Sequence, residues 1–262
     1  MNSFRDNTDN PMDNNPAWKL LEDNYNRYYL NYKGDKSPVI PQNIHFIWLG
    51  SPFPQQYERL KDTWVKQHPG WNIKVWSDKD AEEFGLINKM KYDNFPNYGV
   101  KSDILRYEIL YKYGGIYIDT DFECFQSFDD LLYLDFFAGT GWNAWPVVFN
   151  GIMASSVNNK YLGLIIESIY KERLGNDYNM EQILDFTGCN FITPLYIEYC
   201  KIEKDKSVIF PNHFFYPMPA TIRGEVREDN EKNRKRIYSY IRPNTYCAHL
   251  WYCSWQKQWK DL

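Results

Sequence analysis

The stretch Gly99–Glu123, GVKSDILRYEILYKYGGIYIDTDFE, decides the fold of this 262-residue chain. Val100, Ile104, Tyr107 and Tyr111 recur in it at helical spacing, and Gly114-Gly115 then supplies the residue type that ends a helix at positive φ. Asp103 and Arg106, three apart, share a face of that helix. After the glycines the pattern alternates, so a strand through this run sends Ile116, Ile118 and Phe122 to one side and Tyr117, Asp119 and Asp121 to the other. The apolar set anchors the strand, and the acidic pair is expected on one face at its end.

Working outward, Ile44–Gly50 (IHFIWLG) reads as a first buried strand stopped by Gly-Ser-Pro. A helix follows over Gln55–Gln67 with Tyr57, Leu60, Trp64 and Val65 on its buried face, ended by His68-Pro69-Gly70. Trp71–Trp76 alternates as a second strand, and Ser77 caps a short helix beginning near Lys79. Strand, helix, strand, helix, then the Gly99–Glu123 unit predicts an α/β fold with a mostly parallel sheet. Beyond it, Phe136–Gly139, Val147–Ala154, Ser207–Phe210 and Thr245–Leu250 read as strands, and Tyr161–Tyr170, Met180–Phe186 and Pro194–Glu203 as helices. The charged stretch 221–236 reads as a surface loop or flap. Trp251, Trp255 and Trp259, four apart, suggest a helical face or a tail reaching into a site.

The domain plan has three parts. Residues 1–16, dominated by Asn, Asp and Pro, bury too little to repay ordering and are expected to be disordered. Residues 17–37 carry an amphipathic helix whose Trp18, Leu21, Tyr25, Tyr28, Tyr29 and Tyr32 dock on the main domain, with peripheral membrane contact left open. Residues 38–262 form that domain, its C-terminal tail closing over the site.

Composition narrows the function. A net charge of −4 and a pI near 5.7 argue against nucleic acid as a partner, and the basic cluster Lys232–Arg236 reads as a solvated loop. Five cysteines without a C-x-x-C pair do not form a disulfide framework, which fits a reducing, cytoplasmic compartment. No run reaches the roughly 18 to 20 apolar residues of a membrane helix. The many aromatics, 22 Tyr and 10 Trp, are mostly core filling, with some available to stack on a sugar or base.

Two carboxylates one residue apart can surround a hard divalent cation, leaving open positions for phosphate oxygens. D-x-D alone is weak, since most short acidic pairs are solvated. Its place at the carboxyl end of an apolar strand in an α/β pattern, where ligands bind, gives it weight. Cys247, His249 and Cys253 lack a fourth ligand and are a poor zinc site.

With IHFIWLG near the start and HLWYCSW near the end, the run SDILRYEILYKYGGIYIDTD resembles glycosyltransferase family 32, over about Ile40 to Trp255. That family includes mannosyltransferases and capsular-polysaccharide transferases, with the glucosylating domains of large clostridial toxins more distant. The resemblance implies a GT-A fold, one Rossmann-like sheet domain, a nucleotide-sugar donor and Mn²⁺ or Mg²⁺. It implies that Asp121 binds the metal, that Asp119 contacts the metal shell and ribose, and that Asp103 and Arg106 hold the donor sugar and phosphates. Tyr117 matches the aromatic before D-x-D, and Trp48 a nucleobase-stacking tryptophan. Ser254 and Trp255 match a pair reaching the metal and the diphosphate, and His249 a histidine of the same block. Asn150-Gly151 and Thr187-Gly188 sit where the family places donor or acceptor contacts.

The expectation is a metal-dependent retaining hexosyltransferase acting on a glycan, polysaccharide or protein hydroxyl, with a UDP-hexose favoured over GDP-mannose. Asp103, Arg106, Asp121 and Trp255 are its catalytic candidates. Trp48, Asp103, Arg106, Tyr117, Asp119, Asn150, Ser254 and Trp255 are its donor-binding candidates, and Asp119, Asp121, His249 and Ser254 its metal candidates. The alternatives are a glycoside hydrolase with two acidic groups, or an inactive carbohydrate-binding module.

Overall fold

The computed structural model describes residue 4 and residues 15–142, 145–171, 184–226 and 230–252. Among these, strands β1 (Asn43–Ile47), β2 (Asn72–Trp76), β3 (Gly115–Ile118), β5 (Phe136–Gly139), β6 (Phe149–Ser155) and β7 (Ser207–Phe210) form one six-stranded sheet in the order β2-β1-β3-β6-β5-β7. The pairs β1–β2, β1–β3 and β5–β7 are parallel, whereas β6 runs against both neighbours. The sheet is thus mostly parallel, with one reversed strand. β3, β5 and β7 are buried throughout, as expected of strands covered on both faces.

Helices α1 (Pro16–Tyr25), α2 (Gln55–Gln67), α3 (Asp78–Phe84), α4 (Lys89–Asn94), α5 (Tyr98–Tyr113), α6 (Lys160–Lys171), α7 (Cys189–Ile202), α8 (Asn212–Phe215) and α9 (Glu231–Tyr238) accompany the sheet. α1 passes into a wider helical turn over Asn26–Leu30. Trp18 and Leu21 of α1 are fully buried, and Tyr25 and Tyr29 meet Phe210 edge-on at ring-centroid separations of 6.0 and 4.9 Å. Among the described residues no helix is long and apolar enough to cross a membrane.

α5 is the axis of the site. Asn97 caps it, its side-chain oxygen accepting from the Gly99 and Val100 amides. The helix packs on the sheet and on α6, and Asp103, Arg106 and Glu108 are buried along with its apolar residues. Gly115, at φ +97°, brings the chain against β1, where a Cβ would lie 2.5 Å from the Asn43 carbonyl oxygen. Only glycine lets the strand start there.

Four expectations need correction, the first being Val65, which is exposed on α2 instead of lying on its buried face. The strand does not run through Asp119-Thr120-Asp121: β3 ends at Ile118, and a turn in which the Phe122 amide donates to the Asp119 carbonyl re-aims the chain into β4 (Phe122–Cys124). The two carboxylates therefore flank a turn instead of sharing a strand face. β4 leaves the main sheet to pair antiparallel with β8 (Cys247–His249) in a separate two-stranded sheet. Residues 221–236 are not simply a loop: a 3₁₀ turn spans Ala220–Glu225, and α9 is capped by Asn230, with Glu231 in its first turn and Lys235 and Arg236 in its last. That cap and charge order, not apolar periodicity, carried the helix signal.

Candidate active site

The carboxyl ends of β1 and β3, the amino end of α5 and the β4–β8 sheet enclose a cleft of about 190 Å³. Trp48, Ser102, Asp103, Arg106, Tyr117, Asp119 and Asn150 line one side, and Asp121 and His249 another.

The first side is a welded network. Arg106 Nη2 lies 3.0 Å from Asp103 Oδ1 and 3.4 Å from Asp119 Oδ1, while its Nη1 donates to the Asn150 carbonyl at 2.6 Å. The guanidinium lies over the Tyr117 ring, 4.3 Å from its centroid. Asp103 also accepts from Asn150 Nδ2 at 2.9 Å and from Thr187 Oγ1 at 2.8 Å. Tyr107 closes the ring, its hydroxyl accepting from Asn150 Nδ2 and donating to the Thr187 carbonyl. The Tyr117 hydroxyl donates to Asp119 Oδ1 at 2.7 Å.

Charge in this wall is set by burial and by one cation. Burial pushes the Asp103 carboxyl up to about 6 against the pull of Arg106. Asp119 is likewise raised by burial, although Arg106 favours its charged form. Arg106 stays charged: burial opposes it, and Tyr117, Asp103 and Asp119 outweigh that penalty.

The second side rests on Asp121. Its Oδ1 lies 3.0 Å from His249 Nε2, its Oδ2 accepts from the Tyr252 amide at 2.7 Å, and its carbonyl accepts from the Leu250 amide at 2.9 Å. Burial alone would raise this carboxyl, but His249 and the Tyr252 amide outweigh burial and hold it below the ordinary carboxylate range. The His249 ring stacks on Phe122 at 4.5 Å, its plane tilted by only 6°. Trp251, which adopts φ +58°, turns the chain so that both flanking amides reach Asp121. Its indole N–H donates to the Met218 carbonyl, and its ring sits 4.1 Å from that of His249.

One donor atom from each of Asp119, Asp121 and His249 falls within 4.8 Å of the others, the one such group of three among the described residues. Two carboxylate oxygens and an imidazole nitrogen suit a divalent cation such as Mn²⁺ or Mg²⁺. Among the described residues His249 Nδ1 is buried without a hydrogen-bond partner, which leaves the ring free to change which nitrogen carries the proton. The residues present therefore fit a metal.

Of the residues singled out from the sequence, the fold gathers Trp48, Asp103, Arg106, Tyr117, Asp119, Asp121, Asn150 and His249 around one cleft. Trp48 donates from its indole to Ser51 Oγ and packs at 5.0 Å from Tyr57. Ser254, Trp255 and Trp259 lie outside the described residues. Sequence reasoning missed Tyr98 and Ser102 in the lining, Tyr107 behind it, and the Tyr252 amide. Ser102 and Tyr107 flank motif letters and could have been marked by proximity; Tyr252 acts through its backbone, for which no side-chain signal exists.

Residues 54–137 match the family described as the glycosyltransferase sugar-binding region containing the DXD motif. Inositol phosphoceramide mannosyltransferase 3 of Schizosaccharomyces pombe is 24% identical over 200 residues, covering 67% of this chain and 54% of the relative. The chain thus spans about half the length of that relative. An uncharacterized glycosyltransferase of Acanthamoeba polyphaga mimivirus, L373, is 25% identical over 228 residues, 83% of this chain and 84% of the relative. Among solved structures, PaToxG glycosyltransferase superposes with a TM-score of 0.45 at 20% identity, covering 71% of this chain and 78% of that one.

Proposed function

We propose, for a chain that belongs to the glycosyltransferases with a DXD-containing sugar-binding region, a metal-dependent transfer of a hexose from a nucleoside diphosphate sugar to a hydroxyl acceptor with retention of configuration. The observation that carries this reading is the convergence of Asp119, Asp121 and His249 within 4.8 Å at a cleft whose facing wall holds Asp103 and Arg106. Asp119, Asp121 and His249 would hold Mn²⁺ or Mg²⁺, which when bound neutralises charge on a leaving diphosphate. Arg106, fixed by two carboxylates and the Asn150 carbonyl, adds a cation that needs no reorganisation as that charge develops. Asp103 orients the sugar, and Trp48 seats the base.

Retention is assigned to front-face displacement. The bond from the anomeric carbon to the diphosphate oxygen breaks with its electron pair going to the diphosphate. The acceptor oxygen bonds to the same face, and its proton passes to the departing phosphate oxygen. Asp119 and Asp121 are a poor hydrolase pair, because both converge on one donor cluster instead of facing each other across a glycosidic bond.

A UDP-hexose is the favoured donor and a glycan, polysaccharide or protein the acceptor. The name of the S. pombe relative also brings mannose and an inositol phosphoceramide into the test set. The test is a panel of UDP-glucose, UDP-galactose, UDP-GlcNAc and GDP-mannose with Mn²⁺, followed by NMR for free nucleotide and for the anomeric configuration of the product. Turnover with one donor and a retained anomer is expected. No turnover or binding with any of them sinks the reading, and cleavage of glycans without nucleotide would favour a hydrolase.

A further inference from the structure

Cys124 and Cys247 are direct cross-strand partners in the β4–β8 sheet, although they lie far apart in sequence. The ladder shows which kind of pair they form. The Leu250 amide donates to the Asp121 carbonyl and the Phe125 amide to the Tyr246 carbonyl, so the pairs 121–250 and 125–246 are hydrogen-bonded ones. In an antiparallel ladder the two kinds of pair alternate, which makes Phe122–His249 and Cys124–Cys247 the non-hydrogen-bonded, closer kind.

Such pairs hold their Cα atoms about 4.5 Å apart with side chains on one face. That spacing falls inside the roughly 4.4 to 6.8 Å window a disulfide needs. The stacked rings of Phe122 and His249, two residues along on the same face, show that side chains of this row do meet across the ladder. Both sulfurs are buried and unbridged.

We propose that Cys124 and Cys247 are a modification site, a dithiol that closes into a cross-strand disulfide with a low-molecular-weight disulfide such as oxidised glutathione as the oxidant. One cysteine sulfur displaces a glutathione thiol and forms a mixed disulfide. The second sulfur attacks that bond, forms the Cys124–Cys247 bond and releases the second glutathione. Two cysteine thiols are oxidised, glutathione disulfide is reduced to two thiols, and the two protons end on them. Both strands are buried throughout, so entry requires the two-stranded ladder to part in a local opening.

The inference stands apart from the transferase reading, because it rests on register alone. Its consequence reaches the site nonetheless: β8 carries His249 and leads into the turn whose amides hold Asp121, so the crosslink fastens that turn to β4.

The test is to incubate the full chain in glutathione buffers of graded oxidation, block free thiols, and map peptides by mass spectrometry without reduction. A linked peptide joining Cys124 to Cys247, a loss of two hydrogen masses, and a melting temperature raised by several degrees and restored by dithiothreitol are expected. The Cys124→Ala and Cys247→Ala variants should each lose the redox-dependent shift. Both cysteines recovered as free thiols at every glutathione ratio, or either one linked to a different cysteine, overturns the proposal. The wild-type peptide map alone decides it if the variants fold poorly.

Discussion

The two walls of the cleft are built on opposite plans. The Asp103–Arg106–Asp119 wall comes from α5, β3 and the turn that follows β3, and ties its charged side chains each to at least two others. The Asp121–His249 wall joins residues 128 positions apart through a three-residue ladder and a turn in the left-handed region. The first ties its buried charges to one another through several side chains; the second holds the equally buried Asp121 through one histidine and two backbone amides, and sits where a ligand's charge would arrive. The contrast predicts that stability depends on the first wall and tuning on the second.

The hardest test is Arg106→Met. It leaves Asp103 and Asp119 without the cation they share, and breaking a buried pair in this way costs about 3–5 kcal/mol. Urea denaturation should show that loss together with abolished activity; a variant as stable as wild type would break the contrast.

Next comes acidity. The folded-state value of Asp103, about 6, lies above the ordinary 3.8. The folded chain therefore binds the proton more tightly, and this group adds stability as pH falls through 6 toward 4 and removes it as pH rises. The difference corresponds to on the order of 2–3 kcal/mol. The stability of wild type minus that of Asp103→Asn, measured across this window, should rise toward acid; a flat difference counts against the burial of this carboxyl.

Gly151→Ala sharpens the comparison at its seam. A Cβ there would lie 2.9 Å from Asp119 Oδ2 and 3.2 Å from the Tyr216 hydroxyl, and such overpacking costs about 1–3 kcal/mol. Weaker Mn²⁺ binding by calorimetry should accompany it. The smallest change in stability is expected of His249→Gln, which removes the imidazole that lowers Asp121. The carboxyl then titrates at higher pH, and the acid limb of kcat/KM should move to higher pH with it; an unmoved limb separates Asp121 from the rate.

How much of this was legible in the sequence follows the same division. α5, the glycine turn, β3 and the carboxylates are contiguous, and periodicity with Gly114-Gly115 located them. The break after Ile118 was not legible, because alternation continues through Phe122 and only pairing with β8 shows that the chain has changed sheets. The meeting of Asp121 with His249 depends on a return of the chain that local pattern cannot encode; a resemblance between distant blocks pointed to it, and spacing did not. Trp251 shows the same limit, since an aromatic at positive φ is a choice made by its surroundings against its own preference.

The pairing of β4 with β8 also bears on how the chain is made. A ribosome releases residues in order, at about 5–20 per second, and the residues of the Arg106 wall, out to Thr187, emerge well before residue 249. Until Leu250 and Tyr252 follow, Asp121 lacks both amides that fix it. A nascent chain thus holds one finished wall and one waiting, and the donor cluster of Asp119, Asp121 and His249 comes into existence only after the sheet that carries it has been built.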